Sequence, residues 1–190
     1  AACRKASNEH ANLLLTPELS LWGYPPKDLL LNYLLLDEQK QFLDLISKTL
    51  SQTSQELKVL VGIAEQTKDL LLPKLFNSIV LIDQFGWKIV ARKQLLPTYD
   101  VFDEKRYFRA ASNSGFVRLE IRNKAWCIGL TICEDLWVEE EIQGHRLEGP
   151  DPIADLEKKE LDVLFNLSAS PFTHRKELLR QQIAAKAAKR

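Results

Sequence analysis

Gly129-Leu130-Thr131-Ile132-Cys133-Glu134-Asp135-Leu136-Trp137 reads as an apolar strand that stops abruptly at a thiol followed by two acids. A strand-to-turn junction lifts the terminal side chain clear of the sheet. It also leaves the next backbone N–H groups free to face whatever that side chain attacks. Structural thiols are the commoner case, and they sit mid-strand among aliphatics, as Cys127 does in Ala125-Trp126-Cys127-Ile128. Cys133 is a nucleophile candidate that needs partners.

Outward from that stretch, strands and helices alternate. Residues 13–16 read as a short buried strand ended by Pro17, which cannot donate to a ladder. Gly23-Tyr24-Pro25-Pro26 forms a rigid loop, and Pro26 suits the start of a helix over 27–36. A second helix is predicted over 38–50, with Phe42, Leu45, Ile46 and Leu50 on its apolar face. Residues 59–64 and 78–82 read as strands, and Asp83-Gln84-Phe85-Gly86 turns the chain into a third at 87–92. A further hairpin joins 116–121 to 126–132 around Asn123-Lys124. Residues 163–167 are a last strand, 144–152 a surface loop, and 175–190 a basic, alanine-rich helix. The alternation points to an α/β fold with no internal repeat or linker.

The 190 residues suit one domain with a sizeable core, or part of a larger one. Lys and Arg total 26 and Asp and Glu total 26, a balance that suggests neither nucleic acid nor an anionic membrane as partner. The richest apolar run, 29–36, is broken by Asn32 and too short to span a bilayer. No signal peptide is visible. Cys127 and Cys133 are separated by roughly 20 Å along one extended segment, too far to bridge. With Cys3 alone, a reduced, cytoplasmic protein is expected. His10, His145 and His174 are scattered among polar neighbours and read as surface residues, with no zinc-ligand spacing and no metal site. Methionine is absent, and residues 1–10 read as the second half of a helix, so a chain truncated at both ends is expected.

Three segments share one format, a strand that ends in a reactive residue and runs into a proline- or acid-marked loop. They are Thr16-Pro17-Glu18-Leu19, Arg92-Lys93-Gln94-Leu95-Leu96-Pro97 and Thr131-Ile132-Cys133-Glu134. Corresponding strand ends converge in a sheet protein. A carboxylate that moves the thiol proton, an ammonium that holds the oxyanion, and a thiol together make an acyl-transfer set. A neighbouring ammonium should also enrich the thiolate at neutral pH.

These segments resemble the carbon–nitrogen hydrolase (nitrilase) superfamily. Within it, residues 23–30, 96–108 and 133–137 resemble the glutaminase domain of glutamine-dependent NAD synthetases. The resemblance covers the whole chain. It implies a nitrilase-type four-layer α-β-β-α sandwich over residues 1–190, incomplete, with the catalytic triad on Glu18, Lys93 and Cys133. It further implies a glutamine pocket bordered by Tyr24, Phe102, Glu134 and Trp137, with Glu104 supporting the lysine. Ser170 and Lys176 would lie near the glutamine α-groups. The implied reaction is hydrolysis of L-glutamine through a thioester on Cys133, with Lys93 and the Glu134 N–H at the oxyanion. The ammonia would serve a synthetase domain that amidates deamido-NAD. ATP and Mg belong to that domain, whose glycine- and serine-rich loop is not in these residues. No cofactor is expected here, and a homo-oligomer is expected of the complete protein. The competing readings are a stand-alone nitrilase-type amidase and a non-catalytic binding or assembly module.

Overall fold

Residues 59–64 of β2 (Lys58–Gln66) and 75–82 of β3 (Leu75–Asp83) are all buried, which requires that both faces of their sheet be covered. On one face Val59, Val61, Ile63, Val80 and Ile82 pack against helices α1 (Ala2–Asn8) and α2 (Tyr33–Thr53), through Ala6, Leu43 and Leu50. On the other face Leu60, Ile79 and Leu81 meet Val117, Leu119, Ile128, Leu130 and Ile132 of a second sheet. This computed structural model describes residues 1–190 apart from Gln55, Leu70 and Arg175.

The first sheet has the order β1 (Leu13–Leu15)–β2–β3–β4 (Gly86–Arg92), with β1 parallel to β2 and the other pairs antiparallel. Beyond β4 comes the single turn α3 (Glu104–Tyr107). The second sheet is β5 (Gly115–Ile121)–β6 (Lys124–Ile132)–β7 (Val163–Leu167), a hairpin with β7 added parallel to β6. Its outer side carries α4 (Glu140–Gln143), α5 (Pro152–Glu157) and α6 (Lys176–Lys189), where Ile153 and Ala187 cluster with Leu95, Val138 and Leu164. The layers run α-β-β-α, the expected fold class.

Both hairpins, the last strand and the helix expected over 38–50 lie where the sequence places them, but the boundary before that helix does not. Lys27–Leu31 is only a 3₁₀ turn, and Asn32 then caps one unbroken helix that takes in 33–36 as well as 38–50, its side chain accepting from Leu34 N–H at 3.1 Å. No Gly or Pro interrupts that helix through Thr53. The expected apolar face is rotated only in part. Ile46 and Leu50 pack inward as expected, but Phe42 and Leu45 are 55% and 54% exposed, and Leu36, Gln39, Leu43 and Ser47 complete the inward side. Two polar side chains set this rotation. Gln39 pairs with both backbone groups of Ala64 at 2.8 and 3.1 Å, and Ser47 donates to Asp83 C=O at 2.6 Å. The β1 residues are half-buried rather than fully buried. The terminal helix spans Lys176–Lys189, and Arg175 lies outside the described residues. Among the described residues, no helix is long and apolar enough to cross a membrane.

One irregularity matters for the site. Ala91 pairs with Ile79 and Ile89 with Val80, so Val90 is an extra residue on β4, a β-bulge. Trp87 and Ile89 face α2, while Val90 and Ala91 pack into the inter-sheet core. Strict alternation would have kept Ala91 and Lys93 on the helix side; the bulge turns them inward.

Candidate active site

Glu18 follows β1 in a loop pressed against β2. Thr16 N–H donates to Leu60 C=O at 3.0 Å, and Leu19 C=O accepts from Trp22 and Gly23 N–H at 2.9 and 3.1 Å. The Glu18 carboxylate ends up 1% exposed. Lys93 leaves β4 with its N–H bonded to Asn77 C=O at 2.8 Å and its C=O accepting from Ala111 at 2.9 Å. Its ammonium, fully buried, lies 2.7 Å from Glu18 Oε1 and 2.7 Å from Glu104 Oε1. Glu104 opens α3, and its Oε1 also accepts from Tyr24 Oη at 2.6 Å.

Burial works against a charged lysine, but Glu18 and Glu104 outweigh it and hold the Lys93 ammonium well above its usual range. Burial raises the Glu104 carboxyl despite Lys93, and its second oxygen has no hydrogen-bond partner among the described residues. The Tyr24 phenol is pushed up by burial and by Glu104.

Cys133 ends β6 and begins a 3₁₀ turn, Cys133–Leu136, with φ of 46°. That left-handed conformation costs a residue with a Cβ about 1–3 kcal/mol. The thiol is 3% exposed, and its Sγ lies 3.4 Å from Ser170 Oγ. Burial, then Glu18, pushes it up to about 12 against the opposing pull of Lys93. Lys93 thus favours the thiolate as expected, but burial and Glu18 outweigh it and favour the neutral thiol.

The remaining expected residues meet one another around Glu134 and Tyr99. Glu134 accepts from Tyr99 Oη at 3.1 Å on both oxygens, and burial raises its carboxyl. Phe102 packs edge-on to Tyr99, with centroids 5.2 Å apart, and lies 6.1 Å from Tyr24. The Lys176 ammonium sits 5.2 Å from the Trp137 ring centre. His145 is exposed as expected, yet its ring meets Tyr99 edge-on at 6.0 Å, beside Glu134.

Sequence reading passed over three contributors. Asn77 Nδ2 donates to Glu18 Oε1 at 2.7 Å while its own C=O anchors the Lys93 backbone, so one β3 residue holds both members of the ion pair. With Oε1 engaged twice, Glu18 Oε2, which accepts from Ala169 N–H at 3.3 Å, is the oxygen left for proton transfer. Asn166 Nδ2 donates to Cys133 C=O at 3.3 Å and steadies the turn. Asp135 is 2% exposed and accepts three backbone N–H groups. Asn77 fell just outside the strand expected over 78–82, and only the observed strand Leu75–Asp83 takes it in. Asp135 lay within the opening stretch with nothing to mark its reach. Among the described residues, no three His, Cys, Asp or Glu side chains gather where they could hold a metal ion.

The four-layer fold, with carboxylate, ammonium and thiol gathered at its sheet ends, places the chain in the α-β-β-α sandwich class. A carbon-nitrogen hydrolase family model matches residues 1–187, and the chain belongs to that family. It is 40% identical to the glutamine-dependent NAD(+) synthetase of Synechocystis sp. over 193 residues, covering 100% of this chain and 33% of that protein. The Thermotoga maritima glutamine-dependent NAD(+) synthetase is 34% identical, over 95% of this chain and 28% of its own length. The chain thus spans about a third of these curated relatives. Among solved structures, the glutamine-dependent NAD+ synthetase of Acinetobacter baumannii superposes with a TM-score of 0.74 at 28% identity, over 98% of this chain and 31% of that one. The Nesterenkonia amidase shares the fold, with a TM-score of 0.65 at 18% identity, over 98% of this chain and 66% of that one.

Proposed function

We propose that this chain is the glutamine amidohydrolase part of a glutamine-dependent NAD synthetase, acting through a thioester on Cys133. The observation that carries the reading is the fully buried Lys93 ammonium, 2.7 Å from both Glu18 and Glu104, beside a thiol at a strand end. As Sγ adds to the carboxamide carbon, Glu18 Oε2 takes the thiol proton, and Lys93 with the Glu134 N–H receives the negative oxygen. Collapse expels ammonia with the proton returned by Glu18, leaving the γ-glutamyl thioester. Water then adds, giving its proton to Glu18, and the second collapse releases glutamate and restores the neutral thiol. Tyr24, Phe102, Glu134 and Trp137 border the side-chain pocket, and Ser170 and Lys176 serve the α-groups.

The ammonia goes to a synthetase domain that amidates deamido-NAD, where ATP and Mg are used. The whole protein is cytoplasmic and homo-oligomeric in this reading. Support comes from the relatives, which bear that name. The test is ammonia release from glutamine, together with labelling by an electrophilic glutamine analogue in the natural full-length protein. Label should fall on Cys133 and spare Cys3 and Cys127, and Cys133→Ala should abolish release. Label on Cys127, or release that survives Cys133→Ala, overturns the assignment. Faster release from other small amides than from glutamine identifies a stand-alone amidase instead.

A further inference from the structure

Asp135 has no part in the chemistry above, yet its carboxylate reaches both sheets. Oδ1 accepts from Gln94 N–H at 3.0 Å and Leu95 N–H at 2.8 Å, the two residues after Lys93. Oδ2 accepts from Ile132 N–H at 3.2 Å, the residue before Cys133. The Ile132 bond is a local cap of the 3₁₀ turn and would be met in any capped turn. The two bonds on Oδ1 are not local. They span 41 and 40 residues and join the exit of β4, in one sheet, to the exit of β6, in the other.

Strands in different sheets share no ladder, so inter-sheet spacing otherwise rests on side-chain packing, which is not directional, and on isolated contacts such as Ala169 N–H to Glu18 Oε2. We propose that Asp135 is a positioning residue that sets the spacing between the Lys93 segment and the Cys133 segment. This rests on the reading that Lys93 and Cys133 act together on an amide. Three backbone donors converge on this one buried side chain; they and Lys93 favour its charged form, but burial prevails and pushes the carboxyl up to about 7.

The test uses Asp135→Ala in the natural full-length protein. Alanine removes the oxygen that accepts from Gln94 and Leu95 N–H, so the two segments lose their bridge and should part. Turnover of glutamine should fall about 10²-fold, the scale of a small misplacement, with KM near the wild-type value. Alkylation of Cys133 by iodoacetamide should become faster, because opening relieves the burial that keeps the thiol neutral. A wild-type denaturant midpoint in the variant separates this pair of effects from loss of stability, which would also lower turnover and expose the thiol. Unchanged turnover and unchanged alkylation overturn the proposal. Should Asp135→Ala fail to fold, native-state hydrogen exchange of the wild type decides. The N–H groups of Gln94, Leu95 and Ile132 should exchange as one protected unit, and unprotected Gln94 and Leu95 overturn the bridge. Wild-type protein that releases no ammonia from glutamine refutes the functional reading only; alkylation and exchange still decide the role of Asp135.

Discussion

At the scale of single residues, Cys133 lies between a carboxylate that keeps its proton on and an ammonium that favours its removal. Burial and Glu18 prevail, and the thiol is pushed up to about 12. Lys93 is already committed to two carboxylates at 2.7 Å, so little of its charge is left to the sulfur. Because the thiolate is the nucleophile, a raised value means that the reactive form is scarce at neutral pH and grows as pH rises. In the absence of substrate, the rate of Cys133 alkylation by iodoacetamide should therefore keep climbing from pH 8 to pH 10. Site-resolved mass spectrometry reads this directly. A plateau below pH 9 would show that Lys93, not burial, governs the thiol.

Elements place these residues through two departures from regular geometry. The bulge at Val90 reverses the facing of β4, so that Lys93 leaves the strand toward the sheet interface instead of toward α2. The loop carrying Glu18 can approach β2 because residue 62 has no side chain. A Cβ there would stand 2.5 Å from both Leu19 N and Pro17 O, and 2.9 Å from Glu18 C. All three are backbone atoms, so the loop itself would have to move. Gly62→Ala should cost about 1–3 kcal/mol in denaturant unfolding, as overpacking does. It should lower glutamine turnover further than that stability loss explains, because it displaces the proposed base. Wild-type turnover in a folded Gly62→Ala protein would remove Glu18 from that role.

On the scale of the whole molecule, the site belongs to neither sheet. Glu18, Asn77 and Lys93 come from the ends of β1, β3 and β4, and Cys133, Ala169 and Ser170 from the ends of β6 and β7. Their meeting depends on the apolar layer of Leu60, Ile79, Leu81, Val117, Ile128 and Leu130. Ile79 is fully buried in that layer, and Ile79→Ala should cost about 2–5 kcal/mol. Labelling of Cys133 by a glutamine analogue should then be lost along the same denaturation curve as the fold. Labelling that outlasts the loss of secondary structure would make the site a local property of the Cys133 turn.

The sequence by itself determined the strands, both hairpins and the three strand ends that carry Glu18, Lys93 and Cys133, because alternation, turn residues and strand termination are local signals. Its resemblance to a family also indicated the layering. Tertiary structure decided what depends on partners distant in the chain. Helix α2 turned its Gln39 and Ser47 side inward because β2 and β3 offered backbone groups to bond, which hydrophobic periodicity does not count. The facing of Lys93 was set by one unpaired residue in a ladder, visible only once β3 and β4 are in register. The neutral state of Cys133 and the reach of Asp135 follow from burial and from contacts between two sheets. Both are properties of an assembled interior, where a charge loses its water and meets groups that the linear order keeps far apart.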